Sequence, residues 1–142
     1  MDAVVQWIHL LAAAIAVGGA FFQRAVLLPA VKAEIPVEKQ DAFATAVTDR
    51  FRPFVIAGIG LLILTGFYNI FVGIRGRERV VAYLAVLVLK ILLAAALFAV
   101  AYGLVTDHPR LARVRENRPR SLAIAVGLGV GVLLLAGTLR RL

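Results

Sequence analysis

QWIHLLAAAIAVGGAFFQR, residues 6–24, passes from Gln6 to Arg24 through seventeen residues in which His9 is the one ionisable side chain. The run is apolar on both parities and too long for a barrel strand, so it reads as a helix rather than a strand. In hydrocarbon the backbone must satisfy its own hydrogen bonds, and a helix needs about 20 residues to cross about 30 Å. Three further apolar runs follow, at residues 54–74, 80–105 and 122–139. Together they make the 142-residue chain 62% hydrophobic and only 17% charged, with a mean hydropathy of +0.93. A water-soluble domain does not have that composition. The expected fold is an all-α integral membrane protein, a single four-transmembrane-helix bundle with spans at about residues 4–30, 53–75, 80–105 and 120–139.

The first run is N-terminal and alanine-rich, but Asp2 rather than Lys or Arg precedes it, and it exceeds a usual signal core. It reads as a retained first helix. The chain has no cysteine, which removes disulfide, zinc-thiolate and iron-sulfur frameworks. No internal repeat or low-complexity tract divides it.

Arginine and lysine in the short connections set the expected orientation. One side holds Lys32, Lys39, Arg50, Arg52, Arg110, Arg113, Arg115, Arg118 and Arg120, and the other holds Arg75, Arg77, Arg79, Arg140 and Arg141. Nine against five places both termini outside, which in a bacterial inner membrane means the periplasm. The net charge of +8 then reads as topology and contact with anionic lipid in the bilayer, not as a nucleic-acid surface, because no recognition motif accompanies it. In the first connection, PVEKQDAFATAVTDRFRP, Pro36 suits a helix start. Val37, Phe43, Ala44, Val47 and Phe51 recur near helical spacing opposite Glu38, Lys39 and Asp41. A short interfacial helix on the membrane surface is expected there. The second connection, RGRER, reads as a tight charged turn, and the third as an arginine-rich loop broken by Pro109 and Pro119, with His108 solvated beside a proline.

At helical spacing from His9 come Ala12, Ala13, Ala16, Gly19, Ala20 and Gln23. Small residues of this kind admit either a neighbouring backbone, with the histidine hydrogen-bonded in a packing seam, or a flat bound group beside the imidazole. Alternation of the spans sets the depths. His9 lies about 8 Å inside the outer boundary, Tyr68 and Asn69 about 8 to 10 Å, Thr65 one turn deeper, Tyr83 near the boundary and Lys90 about 15 Å in. These candidates share one half of the bilayer whichever way the chain is oriented. Lys90 costs about 3 kcal/mol to insert, so it should face the bundle and find a partner. No carboxylate lies in any of the four apolar runs. That leaves a tyrosine, a carbonyl, water or an acidic group on something bound. Arg24, near the inner boundary, snorkels. In the fourth run Ala123, Gly127 and Gly131 form a small-residue series, with Gly129 and Gly137 beside it, that predicts close helix contact within the bundle or between copies of the chain.

The pattern W-x-H-L-L-A, V-G-G-x-F-F and L-L-P-A in the first helix, R-F-R-P and L-L-I-L-T-G-F-Y in the second, and Y-L with L-K-I-L-L in the third resembles the CopD family. That family comprises small four-helix membrane proteins named for copper resistance, and the broader group includes the HemJ type of protoporphyrinogen oxidase. The resemblance implies that His9 binds b-type haem and that Lys90 matters to the site. The HemJ pattern has a further histidine late in the third helix, where this chain reads A-Y-G around Tyr102.

Metal chemistry separates the candidates. Membrane copper handling calls for several soft or imidazole ligands, and this chain offers Met1, no cysteine and one membrane histidine. Haem needs one imidazole for five-coordinate iron, with Lys or Tyr available to the propionates. The expectation is a haem b protein for electron transfer or porphyrin oxidation, with His9 as metal ligand and Lys90, Tyr68, Asn69 and Tyr83 lining the cofactor. The alternative is a structural subunit of a larger membrane complex, and copper transport is third. Both leave room for a homo-oligomer. The topology has its own test. In intact cells a membrane-impermeant thiol reagent should label a cysteine added after Leu142 and spare one near Arg115, and the reverse pattern would invert the orientation.

Overall fold

The computed structural model describes residues 3–73 and 80–139, which are almost wholly helical, with no strand among them. The chain begins with α1 (Ala3–Phe22), a π-helical turn (Gln23–Leu27) and α2 (Leu28–Glu34), which run on as one rod. It continues through α3 (Val37–Gly73) and α4 (Val80–Val105), a 3-10 turn (Pro109–Leu111), α5 (Ala112–Glu116) and α6 (Arg118–Leu139). Four of these rods are long and apolar enough to cross a membrane. They form a ring in the order α1, α3, α4, α6, with α6 packed back on α1 and most extensively on α4. The expected RGRER turn, residues 75–79, lies outside the described residues, as do Arg140 and Arg141.

The exterior is as apolar as the interior. Trp7 is 72% exposed, Phe71 71% and Leu134 68%, whereas the buried core is thin and built from residues such as Ala12, Leu62, Leu97, Leu122 and Ala125. In water such a surface would aggregate; in a bilayer it is the lipid face.

Local chemistry explains the element boundaries. Pro29 lies in the first turn of α2 and has no N–H for the carbonyl of Ala25, and the π-turn falls there, with the Leu28 N–H reaching back to the Gln23 carbonyl. Ile35 is extended (φ −108°, ψ 128°), as a residue before proline tends to be, and Pro36 stops α2. Gln40 then donates from Nε2 to the Ile35 carbonyl at 2.8 Å, covering the turn.

Residues 37–53 are not a separate helix on the membrane surface. They are the first half of α3, which runs through Pro53 and, at 37 residues, is about 56 Å long. Against about 30 Å of hydrocarbon, α3 and the α1–α2 rod both overrun the bilayer. The correction has a physical cause: α2 packs on the start of α3, and this antiparallel contact keeps the helix going where amphipathicity alone suggested a flat-lying segment. The fourth span starts at Arg118 rather than 120, with Pro119 in its first turn. The third connection also carries more structure than the expected loop. His108 is exposed, and its Nδ1 accepts from the Arg110 N–H at 3.3 Å to cap the 3-10 turn.

The free carbonyls at the end of α4 are covered by arginines. Arg52 Nε donates to the Val105 carbonyl at 2.6 Å, and Arg115 Nη1 donates to the Thr106 carbonyl. Cations at a helix C-terminus also meet its negative dipole end. Asp107 sits between the two guanidinium groups, 3.8 Å from Arg52 and 4.0 Å from Arg115. Being exposed, these ion pairs contribute less than the capping does.

Close approach marks the helix contacts. A Cβ on Gly129 would stand 2.7 Å from Val17 Cγ2 and 3.0 Å from its Cγ1, so α6 and α1 touch at a point that only glycine permits. Val17 is β-branched and has no alternative rotamer in a helix, which forces any relief onto the backbone. Of the expected series, a Cβ on Gly131 would meet Leu93 of α4 at 3.4 Å, while Ala123 and Gly127 face outward and a Cβ on Gly127 meets nothing within 4 Å; Ala125 and Gly129 face the bundle. Equilibrium unfolding in mixed micelles should therefore show Gly129→Ala destabilised by about 1–3 kcal/mol and Gly127→Ala unchanged or slightly stabilised.

Candidate functional site

His9 projects from the second turn of α1 toward α3, where its Nδ1 lies 2.6 Å from Thr65 Oγ1. The threonine decides the direction of that bond. Its hydroxyl has one proton, and Oγ1 is 2.5 Å from the Leu61 carbonyl, which only accepts. Thr65 must then accept from His9. The neutral tautomer that fits this geometry has its proton on Nδ1 and a lone pair on Nε2. Nε2 makes no hydrogen bond with any described residue. A histidine whose Nδ1–H is held by an oxygen is the arrangement found when the other nitrogen binds a metal or accepts a proton.

Lys90 reaches the same region from α4. It is half-buried, close enough for its charge to act on the His9 imidazole, and makes no ion pair or hydrogen bond with a described residue. Asn69 stands one turn beyond Thr65 on the same face of α3. Its Oδ1 is buried and has no hydrogen-bond partner among the described residues. His9, Thr65 and Lys90 thus form the centre of the cluster, with Asn69 toward the bundle end.

The two candidate tyrosines sit elsewhere. Tyr68 is 41% exposed on the outer surface of α3, because neighbours on a helix point about 100° apart and Asn69 takes the inward position. Tyr83 is buried with Leu87 and Leu139, and Ile70 and Val86 pack against this group. It shares a face of α4 with Lys90 but lies two turns away, about 10 Å along the axis. Thr65, which enters the sequence reading only as a depth marker, is the direct partner of His9. Its signal was the four-residue spacing from Asn69, which puts two polar side chains on one stripe of an apolar helix.

Among the described residues no three His, Cys, Asp or Glu side chains converge as a metal cage. The chemistry available is that of one oriented imidazole beside one ammonium in a low-dielectric setting. Fold and site together define a class, a multi-pass helical membrane protein with a polar cluster in the half of the bundle where α1 begins. Comparison with protein-family models, curated proteins and solved structures found no match.

The imidazole assignment is measurable. In histidine-¹⁵N-labelled protein carrying His108→Gln, which leaves His9 alone, the ring shifts should report a proton on Nδ1. Thr65→Val should lose that bias and about 0.6 kcal/mol of stability, whereas Thr65→Ser should keep both.

Proposed function

We propose that this chain is a membrane haem b protein serving electron transfer or porphyrin oxidation, with His9 Nε2 as the iron ligand. The observation that carries the reading is the 2.6 Å contact of His9 Nδ1 with Thr65 Oγ1, whose own proton is directed at Leu61; this favours the tautomer in which Nε2 is free to bind iron. When bound, haem iron would supply one-electron redox chemistry that no side chain here provides. Lys90 offers a positive charge for a propionate, and the unpaired Asn69 Oδ1 offers an acceptor. The donor set fits haem better than copper, since one membrane imidazole suffices for five-coordinate iron. His108, the other histidine, belongs to the opposite end of the bundle, so a sixth ligand would come from a second copy or another subunit. The resemblance to CopD-like and HemJ-type proteins, and residence in a bacterial inner membrane with both termini periplasmic, belong to the same proposal.

A second reading is favoured by the helical hairpin of α2 and early α3, which overruns the bilayer and suits an accessory subunit docking on a larger complex. One experiment separates the two. Protein purified in mild detergent should show a Soret band, reduced b-type bands with dithionite and a pyridine haemochrome of haem b. His9→Ala should abolish or shift these bands and leave the protein folded. Wild-type protein that carries no chromophore and takes up no added haem would overturn the haem reading in favour of the accessory subunit.

A further inference from the structure

A second polar group lies at the opposite end of the bundle from His9. Gln23, the first residue of the π-turn, is buried, and the Arg118 Nη2 donates to Gln23 Oε1 at 3.0 Å across the contact of α6 with the first rod. Arg118 is half-buried and makes no ion pair and no other hydrogen bond with a described residue. Four of its five N–H donors are therefore uncommitted. With Gln23 Oε1 engaged, the other end of that amide is its NH₂, again a donor. The two side chains border a small, mostly apolar cleft lined also by Leu27 and Val31 on the rod of α1 and α2 and by Phe43 and Val47 on α3.

A pair of side chains rich in free N–H donors calls for a group that accepts, and a guanidinium that lacks a carboxylate calls for an anion. The walls specify the rest of the ligand. Free phosphate gains nothing from leucine, valine and phenylalanine, whereas an acyl chain does. Arg118 is also the first residue of the fourth span, on the arginine-rich side, at the level where headgroup meets hydrocarbon. We infer that this cleft binds the phosphodiester and upper acyl chain of one anionic phospholipid, held by Arg118 and Gln23. The site is independent of the haem reading, because it lies at the other end of the bundle and shares no residue with it.

The test uses the full-length protein in maltoside detergent, titrated separately with phosphatidylglycerol, diacylglycerol and inorganic phosphate. The thermal midpoint and native mass spectrometry are the readouts. Phosphatidylglycerol should bind saturably at one molecule per chain, with the other two probes much weaker. Arg118→Gln should weaken that binding about tenfold. Ala44→Phe, which fills the cleft and spares the guanidinium, should weaken it as well, and Arg120→Gln, at an exposed neighbour, should not. Equal binding by Arg118→Gln and wild type, or an equal loss in Arg120→Gln, would overturn the site as general surface charge. Inorganic phosphate binding as tightly as the lipid would make it a phosphate site, and diacylglycerol doing so a merely greasy one. If Arg118→Gln does not fold, Ala44→Phe decides, and undiminished lipid binding by that variant overturns the proposal.

Discussion

Hydrocarbon offers no hydrogen bonds, and from that constraint most of this structure follows. It obliges the backbone to form helices, and it removes the hydrophobic drive that would hold those helices together, because a leucine is as well solvated by lipid as by another leucine. Contact must come from close approach and from polar locks. The bundle has both. Gly129 lets α6 meet Val17 on α1, and Gly19 faces the Phe51 ring of α3 at a distance that would put a Cβ 2.6 Å from its Cζ. His9 with Thr65 joins α1 to α3 in one half of the bilayer, and Arg118 with Gln23 joins α6 to α1 in the other. Few large side chains are buried because few are needed. Among the described residues thirty large apolar side chains remain exposed, most of them on the spanning stretches, where lipid solvates them.

Proline acts differently at each position in this chain. Pro36 terminates α2 by holding Ile35 extended. Pro29 coincides with the π-turn, which adds a residue to one turn and so re-aims the side chains that follow it. Pro53 leaves α3 unbroken. The missing N–H is the same in all three, and the outcome depends on what packs nearby.

Hydropathy made the four spans legible, since length and composition alone identify them. Element boundaries were harder. Residues 36–53 have the pattern of an amphipathic surface helix, and nothing local distinguishes that from a helix that simply continues. The difference lies in the pairing with α2, a tertiary contact. The helix-four glycines show the same limit. Ala123, Gly127 and Gly131 obey the four-residue rule as well as Ala125 and Gly129 do, and only the placement of Val17 across the contact separates the two faces. At the site, depth arithmetic put His9 and Thr65 in one half of the bilayer, because antiparallel alternation fixes depth. It could not fix azimuth, which is why Tyr68 and Asn69, adjacent in sequence, end on opposite sides of the helix surface.

The two polar clusters carry complementary imbalances. Around His9 the proton of Thr65 is directed at Leu61, which favours donation from Nδ1 and a lone pair at Nε2. Around Arg118, Gln23 Oε1 already accepts one hydrogen bond, and the free capacity is mostly N–H donors. Lys90 adds an ammonium to the first cluster with no carboxylate to meet it, and residues 3–33, 54–72, 81–105 and 118–139 contain no Asp or Glu at all. Lys90 and Arg118 are each half-buried, with no ion pair to a described residue, and a cation so placed in hydrocarbon is costly. The two cations are therefore alike in what they offer, positive charge and free N–H donors set among apolar helices.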